Sequence, residues 1–327
     1  MTDPINLQYT TIKTPLPDFI YKGLKEYSTG ANLYRPQPEI LINKLAQKDN
    51  FNPENIFLTA GIDEALHMFI LTYGQHTTIF TPTYIVYKDV EEFGYQLTQI
   101  YSIENNEYNI TTKKQPDATL IILANPNNPS GFTPKEKILE LINNNQHAIV
   151  VIDEAYAQFT DLSVINQLRN YKNLAVLRSF SKDYGMAGNR VGYIVSHPDI
   201  INKIKNKTQW SNVSYLSIGA AVTALDHEDY FSKLRQDVNH RRDDLLQFLK
   251  QQNYSVLPSR INAVLLKFPD EKQGTQFFNY LKSHNIISSH GNGGSNIGLN
   301  HSFVRISIGT KEQMETLNNI IKQLKSS

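Results

Sequence analysis

The chain has 327 residues, no cysteine, 40% hydrophobic and 19% charged residues, and a formal net charge of +1. Without cysteine there are no disulfides, thiolate zinc sites or cysteine nucleophiles, and a near-neutral balance gives no general electrostatic case for nucleic acid. The length exceeds that of one simple domain, so a large α/β domain with a smaller companion is expected.

The first residues, MTDPINLQYTTIKTP, lack a basic segment followed by an apolar one, and no stretch approaches the roughly 18 apolar residues that span a bilayer. A soluble, cytoplasmic protein without a membrane partner is therefore expected. Residues 1–30 read as an arm or as part of the small domain, 31–220 as the large domain and 221–327 as the small one.

From about residue 56 to 196 short apolar, β-branched runs alternate with amphipathic stretches, the pattern of βαβ units around a parallel sheet. The predicted strands are TTIFTP (77–82), ATLIILAN (118–125), AIVVIDEAY (148–156), LAVLRSF (174–180) and RVGYIVS (190–196). Between them GIDEALHMFILTYG, YIVYKDVEEFG and TPKEKILELINNN carry apolar residues at helical spacing, with Gly61 and Thr133 near the N-caps. After HPDIINKIKNKTQW comes a long helical section through roughly 215–252. AVLLKF, a helix QFFNYLKSHN, a glycine-rich loop, FVRISIG and a last helix then make a small α+β unit.

In an open parallel sheet ligands sit at the carboxyl ends of the strands, so the residues just past each apolar run carry the information. These are NPNNPSG with Asn128, DEAY with Asp153 and Tyr156, SFSK with Ser179, Ser181 and Lys182, and then Arg190. GIDE at 61–64 opens a helix whose free N–H groups suit a phosphate, with Gly61 allowing close approach. Each piece alone has a plain structural reading as a turn, a cap or a solvated lysine. Together they offer an amine able to form a Schiff base, an anion cradle, an aspartate and a tyrosine, which are what pyridoxal 5'-phosphate requires. The nine histidines have no HExxH or other metal-ligand spacing, so no metal is expected, and His67, His290 and His301 read as packed, surface or pocket-lining residues.

The ordered set NLYRPQPEILINKLA, LTAGIDEAL, TPTYIVYKDVEEFG, ANPNNPSG, VIDEAY, SFSKDYGMAGNRVGY and FVRISIGT resembles the class I and II pyridoxal-phosphate aminotransferases of fold type I, in the branch of histidinol-phosphate aminotransferase. The resemblance implies a mostly parallel seven-stranded sheet between helices plus a smaller α+β domain. It implies that Lys182 forms the Schiff base and shuttles the substrate proton, that Asp153 pairs with the pyridine nitrogen, and that Asn128 and Tyr156 bind the phenolic oxygen. Tyr84 would lie on the ring. The N–H groups of Ile62 and Asp63, with Ser179, Ser181 and Arg190, would hold the phosphate. Tyr34 matches a tyrosine that reaches the phosphate of a neighbouring subunit, implying a homodimer, and Arg305 an arginine that clamps a substrate carboxylate.

Two stretches depart from the pattern: LQYTTIKTPLP stands where relatives carry an NEN-type motif, and IISSHGNGG, with Ser288, Ser289 and His290, where relatives binding histidinol phosphate carry a second arginine. The expected activity is transfer of an amino group between an amino acid and a 2-oxo acid. The alternative on the same scaffold is a decarboxylase or lyase resembling threonine-phosphate decarboxylase. A binding protein that has lost catalysis is opposed by the presence of Lys182, Asp153, Asn128 and Arg190 together. A dinucleotide-dependent dehydrogenase has only GNGG at 291–294, read as a flexible loop.

Overall fold

The computed structural model describes residues 3–326; residues 1, 2 and 327, the ends of the expected arm and small domain, lie outside the described residues. Seven strands form the main sheet in the order Ile56–Thr59, Gly192–Ser196, Leu174–Ser179, Ile149–Asp153, Leu120–Ala124, His76–Thr81, Gln96–Tyr101. The runs LIILA and LAVLRS are buried along their whole length, as strands covered by helices on both faces must be. The five predicted strands are present within two residues of their expected ends, except that AIVVIDEAY stops at Asp153, three residues early; Ile56–Thr59 is not among them. The edge strand Gln96–Tyr101 escaped sequence reading because QLTQIY is half polar and largely exposed.

Gly192–Ser196 is antiparallel to both its neighbours, and the other pairings are parallel. That reversal positions the site. The chain leaves Leu174–Ser179 at its carboxyl end, makes the SFSK loop and comes straight back, so Ser179 lies opposite Gly192 and Gly192 opposite Thr59. The SFSK loop, Arg190 and the start of the GIDE helix thus meet at one rim.

The GIDE helix runs Ile62–Tyr73 with Gly61 as N-cap and Gly74 as C-cap. YIVYKDVEEFG yields less helix than its spacing suggests: a 3-10 turn Ile85–Lys88 and the short helix Asp89–Glu92. Thr83–Tyr84 pairs with Asn296–Ile297 at one end and Gly94, at φ +79°, stops it at the other, so no longer helix fits. Thr133 is not a cap; the helix starts at Lys135 after Pro134, and the Thr133 N–H donates to Asn125 Oδ1. The long helical section is two helices, Tyr215–Asp226 and Glu228–Gln251, broken at His227.

The smaller sheet holds Ala263–Lys267, Phe303–Ser307 and Ser289–His290. The N-terminal residues belong to two places. Ile5–Asn6 adds in parallel to Ile286–Ile287, and Leu7, fully buried, accepts a hydrogen bond from Ser307 N. Helix Asp18–Ser28 instead packs on Tyr215–Asp226, so closely that a Cβ on Gly23 would lie 2.1 Å from Thr223 Oγ1 and one on Gly219 2.4 Å from the Tyr27 ring. Among the described residues no helix is long and apolar enough to cross a membrane.

Candidate active site

One cleft collects the strand ends: Lys182, Asp153, Asn128, Tyr156, Ser179, Ser181, Tyr84, Arg190, Ile62, Asp63 and Arg305 all line it. Gly61 sits directly behind, at φ +86°, where an added Cβ would fall 2.5 Å from Arg190 Nη2. Glycine is required there by both backbone and space. Arg190 itself adopts the left-handed region at φ +52°, a strained conformation of the kind that clusters at functional sites. Its guanidinium donates to Asp63 Oδ2 at 2.9 Å, and the other Asp63 oxygen accepts from Tyr84 Oη at 3.0 Å. Tyr84 is held well above its ordinary pKa, first by burial and then by Asp63, so it remains a neutral phenol.

At the end of Leu174–Ser179, the Ser181 N–H donates to Ser179 Oγ at 3.0 Å. Ser181 Oγ is buried and has no partner among the described residues. A buried hydroxyl carries a desolvation cost unless something bonds it, and Ser181 lines the cleft together with Ile62 and Asp63 at the start of the helix and with Arg190. A phosphate fits that set of donors.

Asp153 ends its strand 5% exposed. Tyr87 Oη donates to its Oδ2 at 2.7 Å and Ala155 N to its Oδ1 at 2.9 Å. Burial nevertheless outweighs these bonds and pushes its pKa up to about 6. A carboxylate kept costly to ionise is suited to pairing with a protonated ring nitrogen, which supplies the missing positive charge.

Arg305, in the middle of Phe303–Ser307, is 2% exposed and has no carboxylate partner among the described residues. Nη1 donates to Asn128 Oδ1 at 2.6 Å, Nη2 to the Gln8 carbonyl at 2.7 Å and to Gly294 O at 3.0 Å, while Nε has no partner among the described residues. Burial pushes its pKa down to about 10, still a cation at neutral pH. Asn296 Oδ1 on Nη1 and Ser289 Oγ on Nη2 complete a set of neutral acceptors, so an anion that displaced one of them would turn a neutral contact into a charge-assisted one.

Tyr34 lies outside the cleft, 79% exposed, its ring 5.5 Å from that of Trp210. His290 and His301 do not line the pocket; they stack on each other at 4.5 Å, and His290 stacks on Phe278. His67 bonds Asp89. The glycine-rich loop read as flexible places Gly294 and Ser295 on the cleft wall and continues into the strand that pairs with Thr83–Tyr84. Sequence reasoning missed Tyr87 and the segment Tyr9, Thr10 and Thr11, which closes one side of the cleft. No local pattern marks either: Tyr87 meets Asp153 across 66 positions, and Thr10 meets Lys182 across 172.

The model of the family described as "Aminotransferase class I and II" matches residues 6–321. The chain is 30% identical to a histidinol-phosphate aminotransferase of Sulfurisphaera tokodaii, over 97% of this chain and 89% of that protein. It is 29% identical to another of Rippkaea orientalis, over 100% and 93%. Among solved structures, a histidinol-phosphate aminotransferase from Clostridium acetobutylicum superposes with TM-score 0.89 at 22% identity, over 98% and 99% of the two chains. The L-threonine-O-3-phosphate decarboxylase of Porphyromonas gingivalis superposes with TM-score 0.84 at 24% identity, over 99% and 100%. At such identities the structural likeness speaks for the fold, which both chemistries share.

Proposed function

We propose that this chain, which belongs to the class I and II aminotransferases, pyridoxal-phosphate-dependent enzymes of fold type I, moves an amino group between an amino acid and a 2-oxo acid or related carbonyl compound with Lys182 as its proton carrier. The observation that carries the residue assignment is the Ser181 hydroxyl, buried without a partner among the described residues in the cleft that Arg190 and Lys182 line.

Ser179, Ser181, Arg190 and the N–H groups of Ile62 and Asp63 hold the phosphate. Asp153 pairs with the ring nitrogen, Asn128 and Tyr156 bind the phenolic oxygen, and Tyr84 covers the ring. When bound, pyridoxal phosphate supplies an electron-withdrawing ring that takes up the electrons released at the donor's α-carbon. Arg305 grips the donor carboxylate through its fork and so fixes which bond at that carbon faces Lys182. With the cofactor bound, the Lys182 amine would take the α-proton and carry it to the atom that receives it in the transfer. Glutamate is the amino donor to try first, and the keto counterpart of histidinol phosphate, the amine for which the relatives are named, is the acceptor to try first.

The working unit is a homodimer, in which the exposed Tyr34 of each subunit reaches the other's phosphate. Residues 31–220 form the cofactor domain and 221–327 the small domain that delivers Arg305. The cytoplasmic location expected from the N-terminal sequence belongs to the same proposal.

The test is to load the protein with pyridoxal phosphate, reduce with borohydride and map the adduct by mass spectrometry. One adduct on Lys182, absent in Lys182→Ala, is expected; a wild-type protein with no adduct overturns the assignment. Measuring keto-acid formation and carbon dioxide release in parallel over a panel of amino acids separates transfer from decarboxylation.

A further inference from the structure

We infer that Thr10 is a positioning residue of the reaction: its hydroxyl, brought in by the N-terminal segment, aims the Lys182 amine and the Tyr156 hydroxyl at the reacting atoms. This rests on the proposed function above.

Thr10 is 4% exposed and its Oγ1 touches both groups, 3.2 Å from Lys182 Nζ, which donates to it, and 2.8 Å from Tyr156 Oη. Among the described residues it is the one hydrogen-bond partner that either Lys182 Nζ or Tyr156 Oη has. The segment that carries it is tied down at Thr10 and just before it. Gln8 O accepts from Arg305 Nη2, Thr10 O accepts from Asn262 Nδ2 at 3.1 Å, and Leu7 is anchored on Ser307. As a β-branched residue Thr10 has a stiff χ1, so a fixed backbone here means a fixed hydroxyl.

The chemistry of the three groups gives the contact a direction. A neutral amine has two N–H donors and one lone pair. When Thr10 Oγ1 accepts one N–H of Lys182, the lone pair that must take the substrate proton cannot face Thr10 and is left to face the cleft. A threonine hydroxyl has a single hydrogen, and in its contact with Tyr156 Oη either oxygen can be the donor; the proposed arrangement has Thr10 give that hydrogen to Tyr156. Tyr156 then keeps its own hydrogen free to donate into the cleft. No proton crosses Thr10; it sorts which atom each neighbour presents.

The test compares Thr10→Val, which keeps the shape and removes the hydroxyl, with Thr10→Ser, which keeps the hydroxyl. In the pyridoxal-phosphate-loaded protein, the pH midpoint of the cofactor's absorbance change is expected to move in Thr10→Val and to stay with wild type in Thr10→Ser. The kcat for keto-acid formation is expected to fall roughly three- to tenfold in Thr10→Val, with KM for the donor changing by less than about twofold, since a lost hydrogen bond between uncharged groups is worth that much. An unmoved midpoint in Thr10→Val overturns the inference, as does an equal loss in Thr10→Ser, which would make the segment's packing the cause. If wild type itself binds no cofactor at Lys182, the proposed function has failed instead, and the borohydride adduct reports that separately.

Discussion

Asp153 and Arg305 are buried charges of opposite sign that make no ion pair among the described residues, and each makes a measurable prediction. For Asp153 the folded pKa of about 6 lies above the ordinary 3.8, so folding favours its protonated form. Its contribution to stability is complete below about 3.8 and is lost as pH rises through about 6, a loss of roughly 3 kcal/mol at most. Cofactor-free Asp153→Asn should therefore match wild type in Tm near pH 4 and exceed it by several degrees near pH 7, while binding pyridoxal phosphate more weakly. Asp183, also buried and pushed up to about 6, remains in both proteins, so the pH dependence shrinks and does not vanish. A mutant that loses Tm at pH 7 would show that the carboxylate is stabilised by its bonds to Tyr87 and Ala155 and is not held in wait for a cation. Arg305→Lys keeps a charge but not the fork. The KM of the amino donor is expected to rise roughly 10- to 100-fold in steady-state assays, with cofactor affinity unchanged, because a bidentate charge-assisted contact becomes a point contact.

The rim of the sheet depends on the turn from Thr59 into the Ile62–Tyr73 helix, where Gly61 lets the first N–H groups and the Arg190 guanidinium share one small space. Gly61→Ala places a Cβ 2.5 Å from Arg190 Nη2 and forces an L-residue to φ +86°, at a cost of about 1–2 kcal/mol before any ligand is considered. The affinity for pyridoxal phosphate should fall at least tenfold by fluorescence titration, and Tm by a few degrees. Gly188→Ala is the control: a Cβ there meets nothing within 4 Å, and both quantities should stay with wild type. This rim was legible in the sequence because apolar runs such as LAVLR and AIVVI end abruptly at polar residues, and all parallel strands end on one side. The opposite wall was not legible. Thr10, Tyr87 and Gly294 reach the cleft from segments whose own spacing points nowhere in particular, and only the closed fold brings a residue near the N-terminus to Lys182. The overlong helix expected at YIVYKDVEEFG has the same cause, since its true limit is a strand pairing with Asn296–Ile297 more than 200 positions away.

At the scale of the molecule, a cluster of exposed apolar and aromatic side chains lies away from the cleft. Leu33, Tyr34, Trp210 and Leu216 are 50%, 79%, 69% and 36% exposed, Tyr34 and Trp210 lie ring to ring, and Arg35 stands over Tyr215. Such a cluster left open to water is what an interface core looks like before its partner arrives. If two copies meet here and Tyr34 crosses to the other cleft, cofactor affinity and dimerisation are linked, although no cleft residue of the same chain belongs to the cluster. Trp210→Asp is then expected to sediment as a monomer at micromolar concentration and to bind pyridoxal phosphate at least tenfold more weakly. Tyr34→Phe, which keeps the apolar ring and removes the hydroxyl, is expected to remain a dimer and lose only a few-fold in affinity, the worth of one hydrogen bond to a phosphate. The two variants separate the surface from the residue. A monomeric Trp210→Asp with unchanged cofactor affinity would confine each active site to a single chain, and a dimeric one would place the interface elsewhere.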